Sequence, residues 1–242
     1  TFCPQCRFQR RIMFRNERVL YKRTCDLCEE SIVTVFAPEK TLKVYCSSCW
    51  WSDKWDDGAI YLDYDPNKNI FEQMRELQKM TPHMALITDY STLVNSDYVN
   101  HAGNLKNCYL IFNADFDENC HYSNFVVRVK DSMDCEMSID SELLYQSINI
   151  IGYNCAFCHS AGPCHDVYFS RYVIGCNNCF GCVNLRNKSY HIFNQPYSKE
   201  DYKRKLKEFR LDTWSGLEKA RKMVDEFWMS HPIVLAKAPS ET

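Results

Sequence analysis

From Asn107 to Tyr190 the sequence returns loosely on itself, and this recurrence restricts the possible folds more than any other feature of the chain. One series reads Asn107-Cys108-Tyr109-Leu110, Asp134-Cys135-Glu136-Met137, Asn154-Cys155-Ala156-Phe157 and Asn178-Cys179-Phe180-Gly181. A second lies between its members: Asn119-Cys120-His121-Tyr122, Leu143-Leu144-Tyr145-Gln146, Asp166-Val167-Tyr168-Phe169 and Lys188-Ser189-Tyr190-His191. Steps in the second series, from Cys120 to Leu144, Val167 and Ser189, are 24, 23 and 22 residues. A period near 23 residues without helical spacing predicts a parallel β-helix whose coils stack on one another. Cys120, Leu144, Val167 and Ser189 are then expected at equivalent positions of successive coils. Cysteines and apolar residues point inward, and Asn and Asp take the bends, where they tolerate left-handed backbone angles. The competing reading is a set of zinc knuckles in which Cys158, Cys164, Cys176 and Cys182 form a metal site. Stacked core cysteines are preferred, because a free cysteine behaves as a small buried apolar group.

The N-terminal third carries a different signal. Cys25, Cys28, Cys46 and Cys49 follow the pattern C-x2-C-x17-C-x2-C, within the range of a zinc ribbon. Ser31 to Phe36 and Thr41 to Tyr45 are β-rich runs separated by Ala37-Pro38-Glu39-Lys40, so they are expected to pair as a hairpin with a cysteine knuckle at each end. Cys3 and Cys6 form a third pair, with 18 residues between Cys6 and Cys25, and offer an equally acceptable partner for Cys25 and Cys28. Cys46 and Cys49 are preferred. The remaining pair is left as ordinary thiols or as half of a second zinc site with His83, His101 or ligands before Thr1. With four cysteines as ligands no open coordination position remains, so the zinc is structural.

Between the first two pairs lie Arg7, Arg10, Arg11, Arg15, Arg18, Lys22 and Arg23 with one acid, Glu17. Phe8, Ile12 and Val19 have helical spacing, while Arg15-Asn16-Glu17 suits the turn of a hairpin, and both shapes stay open. Either presents arginine forks suited to phosphate, which makes these seven residues the candidate nucleic-acid contact; the alternative is that they pair with acids elsewhere in the chain. Trp50, Trp51 and Trp55 are expected to pack the ribbon against the next layer, with base stacking as the alternative. Asn69 can cap a helix running to about Lys79 with Ile70, Met74 and Leu77 on its buried side. Near the C-terminus Ser198 and Thr213 or Ser215 can each open a helix, and these helices are expected to cover the last coil of the solenoid.

The whole therefore reads as mainly β: an N-terminal zinc ribbon followed by a parallel β-helix-like solenoid, with C-terminal α-helices. The expected domains are 1–56 for the ribbon and basic segment, 57–106 for a connecting segment with one helix, 107–197 for the solenoid and 198–242 for the helices. No apolar stretch approaches the roughly 20 residues of a membrane span, and the residues after Thr1 do not read as a signal peptide. Fifteen cysteines, many in C-x-x-C pairs, favour metal thiolates and a reducing cytoplasmic setting over a disulfide framework. The net charge of −2 conceals an uneven distribution. Basic residues outnumber acids 10 to 6 over residues 1–55 and 11 to 8 over 187–242, whereas acids lead 17 to 8 between them.

Cys3-Pro4-Gln5-Cys6-Arg7, Arg15 to Arg23, Trp50-Trp51-Ser52-Asp53-Lys54-Trp55-Asp56, and Gly181 to Lys188 continuing through Tyr197-Ser198-Lys199-Glu200 resemble an uncharacterised zinc-ribbon, cysteine-rich repeat family encoded in candidate-phyla-radiation bacteria. The resemblance covers most of the chain and implies an identity without a mechanism; Leu144 and Val167 stand where that family is expected to carry Cys. The functional expectation is a non-enzymatic zinc-binding protein that contacts nucleic acid, RNA before DNA, in association with the ribosome. An interaction scaffold using the acidic solenoid is the alternative. The sequence holds no P-loop, no G-x-G-x-x-G and no G-x-S-x-G.

Overall fold

The computed structural model describes residues 3–12 and 16–232. The chain divides into two compact units, Thr1–Asp117 and Glu118–Thr242, and each joins solenoid coils to one other kind of structure.

In the first unit, helix α1 (Pro4–Ile12) precedes an antiparallel hairpin of β1 (Tyr21–Thr24) and β2 (Ser31–Thr34), in register Tyr21↔Thr34 to Thr24↔Ser31. The basic segment thus contains both a helix and a hairpin strand. Strand β3 (Val44–Tyr45) and helices α2 (Ser47–Trp50) and α3 (Ile70–Met80) follow, and β3 pairs in parallel with β4 (His83–Met84). The hairpin expected between residues 31–36 and 41–45 does not form. The short loop carrying Cys25 and Cys28 turns β2 back onto β1, while the Thr34 hydroxyl and the Val35 N–H both donate to the Ala85 carbonyl, at 3.0 and 3.1 Å. Helix α3 starts where expected, with Asn69 Oδ1 accepting from the Phe71 N–H at 2.8 Å. Its buried face differs from the expected one: Ile70, Met74 and Leu77 are exposed and Gln73 is buried. The Gln73 amide accepts from the Asp65 N–H and donates to the Asp65 carbonyl, so the loop before the helix folds around that side chain.

Solenoid coils occur in both units. Leu93 pairs with Leu105 and Asn100 with Phe112 in the first; Glu118 pairs with Lys130, His165 with Asn177 and Cys179 with His191 in the second, all in parallel. Each pair is twelve residues apart. Every third residue takes a left-handed backbone angle, as at Asn119 (φ 55°), Tyr122 (51°), Phe125 (53°) and Arg128 (55°), so each coil has four three-residue sides. The solenoid has about eight turns.

The period near 23 is therefore two coils. Cys120, Leu144 and Val167 do share a column, but on alternate coils: Ser132 pairs with Cys120 and its hydroxyl accepts from the Leu144 N–H, while Cys155 pairs with Val167. Ser189 pairs with Asn177 and stands out of that column. The drift in spacing comes from one contracted coil, where Ile150 pairs with Ala161 and the register shifts before Gly152. A Cβ at Gly152 would meet the Cys164 carbonyl oxygen at 2.4 Å, so glycine is required at the contraction.

Four inward side chains per coil leave a narrow interior, which explains the choice of Cys and Ser. The Ser170 hydroxyl donates to the Tyr168 carbonyl at 2.9 Å and accepts from the Cys182 N–H at 3.0 Å; Ser132 and Ser147 repeat the arrangement. Cys120 and Cys158 likewise place their thiols against carbonyls two residues back and nine ahead, at 3.2–3.4 Å. Small side chains that satisfy inward-facing backbone groups are what such a core needs. At the corners, Asn119 donates to Asp131 and Asn154 to Asp166 along the stack.

Asn178 (φ 51°) tests the corner rule on backbone grounds. Asn178→Val places a β-branched residue in the left-handed region and is expected to lower stability by about 1–2 kcal/mol, read as a fall in the urea midpoint.

In the second unit, α4 (Lys199–Glu208) and α5 (Trp214–Met229) are capped by Ser198 and Thr213 and pack on the last coils through Phe169, Phe180, Ile192, Tyr202, Ala220 and Val224. Among the described residues no helix is long and apolar enough to cross a membrane.

Candidate metal centre

The two knuckles of the ribbon are held by backbone contacts that its sequence makes cheap. Cys25 and Cys28 occupy the turn between β1 and β2, closed by the Cys25 N–H on the Glu30 carbonyl (2.8 Å) and by Glu29 in the left-handed region, its N–H on the Cys25 carbonyl (3.0 Å). Cys46 precedes α2 and its sulfur accepts from the Cys49 N–H at 3.4 Å, so the helix start aims both sulfurs the same way. Asp26 joins the knuckles: its carboxylate accepts from the Val44 N–H at 2.7 Å and from Arg23, and its own N–H donates to the Val44 carbonyl.

The sulfurs of Cys25, Cys28, Cys46 and Cys49 lie within 4.8 Å of one another, with Cys28 and Cys46 at 3.9 Å. This group can hold a metal ion. Among the described residues it is the one group of three or more His, Cys, Asp or Glu side chains close enough to do so. Cys25 and Cys49 are buried and the other two half-buried. Burial opposes ionisation of Cys25, but amide N–H groups of Cys28, Cys46 and Leu27 outweigh it and hold the thiol at about 7. Burial and the three neighbouring thiols push Cys49 up to about 12. The set therefore ionises as a coupled unit in which a metal, by removing protons, replaces repulsion with bonding.

Cys46 and Cys49 thus complete the set with Cys25 and Cys28, and Cys3 and Cys6 stand apart from it. Both are exposed at the start of α1, with the Cys6 N–H on the Cys3 sulfur at 3.4 Å. Among the described residues His83 and His101 join no such group. The solenoid cysteines are core residues: Cys155 is pushed up to about 12 and Cys135 to about 11, mainly by burial. A metal site of Cys158, Cys164, Cys176 and Cys182 is not assembled, since each lies against backbone carbonyls.

Of the basic residues, Arg7, Arg10, Arg18 and Lys22 are exposed, whereas Arg23 is half-buried and bound to Asp26 (3.2 Å) and the Leu42 carbonyl (3.0 Å). Arg23 thus braces the ribbon, unlike the exposed basic residues. The Arg11 side chain and Arg15 lie outside the described residues. Trp50 and Trp55 pack as expected, rings 5.0 Å apart with Trp55 5.7 Å from Tyr45, beside Cys25 and Cys49. Trp51 is 66% exposed. Asp26 was missed at the sequence level, although an acid inside a C-x-x-C knuckle facing an arginine was the available signal.

Comparison with protein-family models, with curated protein sequences and with solved structures finds no match to this chain. The resemblance to the candidate-phyla-radiation family rests on the quoted residues alone.

Proposed function

We propose that the chain is a non-enzymatic zinc-binding protein of the cytoplasm whose ribbon presents a basic surface to nucleic acid, RNA before DNA, with the ribosome as the setting. The convergence of four cysteine sulfurs carries the metal part of this reading. A tetrahedral site with zinc–sulfur bonds of about 2.3 Å places sulfurs about 3.8 Å apart, close to the Cys28–Cys46 separation of 3.9 Å. An all-thiolate set suits a soft or borderline ion. It leaves no position for a reacting water.

Exposed Arg7, Arg10, Arg18 and Lys22, with Trp51 exposed beside the metal set in sequence, support the nucleic-acid part. Fluorescence anisotropy of a labelled single-stranded RNA tests it. Arg7→Ala, Arg10→Ala and Lys22→Ala together are expected to weaken binding about tenfold or more and to flatten the plot of log affinity against log salt by about 0.7 per lost phosphate contact. Zinc content and melting should stay unchanged. Equal affinity of the triple variant would remove the RNA reading. The scaffold reading would then lead, favoured by the exposed Tyr122, Phe125 and Met137 at the corners of the coils.

A further inference from the structure

The second unit contains a cavity that the zinc and RNA readings do not use. It has a volume of about 1080 Å³ and lies between the coils and the C-terminal helices. Its floor is a strip of aromatic rings on successive coils: Tyr145 and Phe157 have centroids 5.4 Å apart, and Phe157 and Phe169 stack at 4.3 Å. Leu206, Leu211 and Leu217 line the opposite side. Beyond Phe169 the ring layer is carried on by Phe180, one register position away, and by Phe193, and Phe209 covers both; the stretch before it is open except where the Arg221 guanidinium lies 5.5 Å from the Phe157 centroid.

The charges on the rim distinguish this gap from a packing defect. Helix α4 carries four basic residues in its middle and end, Lys203, Arg204, Lys205 and Lys207. Arg204 pairs with Asp201, and the Lys205 ammonium lies over the Tyr197 ring at 5.1 Å. Of these, Lys203 and Lys207 line the cavity, one helical turn apart and exposed; Arg210 and Asp212 also line it but pair with each other at 3.0 Å, and among the described residues no carboxylate pairs with either lysine. Like charges at this spacing disfavour the helix slightly, an effect that the place of Lys207 in the last turn of α4 only partly relieves. The elongated floor fits a hydrocarbon chain better than a compact ring, and the two ammonium groups fit an anionic head at one end of it.

We propose that this cavity binds a single-chain amphipathic anion, an acyl or alkyl chain ending in a carboxylate or phosphate, with the chain along Tyr145, Phe157 and Phe169 and the head between Lys203 and Lys207. The test uses the full-length zinc-loaded protein and the fluorescent fatty acid cis-parinaric acid, displaced by palmitate, hexadecyl phosphate, hexadecanol or hexadecyltrimethylammonium. Saturable binding is expected, with the two anions displacing the probe at least about tenfold better than the alcohol or the cation. Which anion is stronger identifies the head group. Lys203→Gln with Lys207→Gln should weaken palmitate about tenfold or more at unchanged melting temperature. Arg204→Gln with Lys205→Gln, on other faces of α4, should not. Absence of saturable binding, equal displacement by the cationic amphiphile, or undiminished binding in the Lys203/Lys207 variant would each overturn the assignment.

Discussion

Cys25→Ser is expected to unfold residues 21–49 and to abolish metal uptake by the four-cysteine group, the largest effect of any single change in the first unit. The ribbon has little else to hold it: its buried apolar cluster consists of Cys25, Tyr45 and Cys49, and its strands are two to four residues long. Structural zinc contributes about 10–16 kcal/mol of apparent binding free energy in such small units, far more than this core supplies. A serine hydroxyl stays protonated at neutral pH and cannot replace a thiolate. Amide hydrogen exchange over residues 21–49 should approach that of an unfolded chain, and metal analysis should show the loss of this ion. Cys3→Ser, at an exposed position outside the set, should leave exchange over 21–49 and its ion intact. Chelation should reproduce the Cys25 effect reversibly. Protons compete with the metal for the four thiolates, so release should proceed as pH falls, not as it rises. A metal-free Cys25→Ser protein with protected amides over 21–49 would show that the ribbon folds on its own contacts.

The four-cysteine group was legible because C-x-x-C spacing is a local property. The pairing of strands around it was not. Residues 31–36 can pair with either neighbouring β-rich run, and the choice rests on Thr34 and Val35 reaching Ala85, about fifty residues on, which no local pattern encodes. The solenoid was legible for a related reason: coils stack by register, so column positions must recur. Its true period was hidden by the tolerance of the interior, where Ser132 and Cys155 serve the column as well as Leu144 or Val167 because small polar side chains bond the inward carbonyls. Corner residues were harder still. Every third position takes a left-handed angle whether it holds Asn119, Tyr122, Phe125 or Arg128, so the stack overrides the preference that would have marked the corners. The α3 face failed because periodicity assigns a buried side to any amphipathic helix, while here Gln73 and the loop before it occupy that side.

Phe180→Ala is expected to be the most destabilising truncation in the second unit, at about 3–5 kcal/mol. Phe180 is fully buried where the last coils meet α4 and α5, with ring centroids 5.7 Å from Phe169, 5.7 Å from Phe193 and 4.4 Å from Phe209. Removing it opens a cavity among rings fixed on one side by the coil backbone and on the other by a helix terminus, so collapse recovers little of the lost contact. Coils of a solenoid exchange stability mainly with their neighbours, which localises the damage. Protease susceptibility and hydrogen exchange should therefore rise first in α4, α5 and the coil containing Phe180, while the coils around Val126 and Val129 keep their protection. Phe125→Ala supplies the contrast. Phe125 sits at a coil corner and is 52% exposed, so its truncation should change stability by no more than about 0.5 kcal/mol. If both phenylalanines cost the same, the helices do not derive their hold from the Phe180 layer. If Phe180→Ala instead loosens every coil from Glu118 onward at once, the unit unfolds as a single cooperative block and the nearest-neighbour account of the solenoid is wrong.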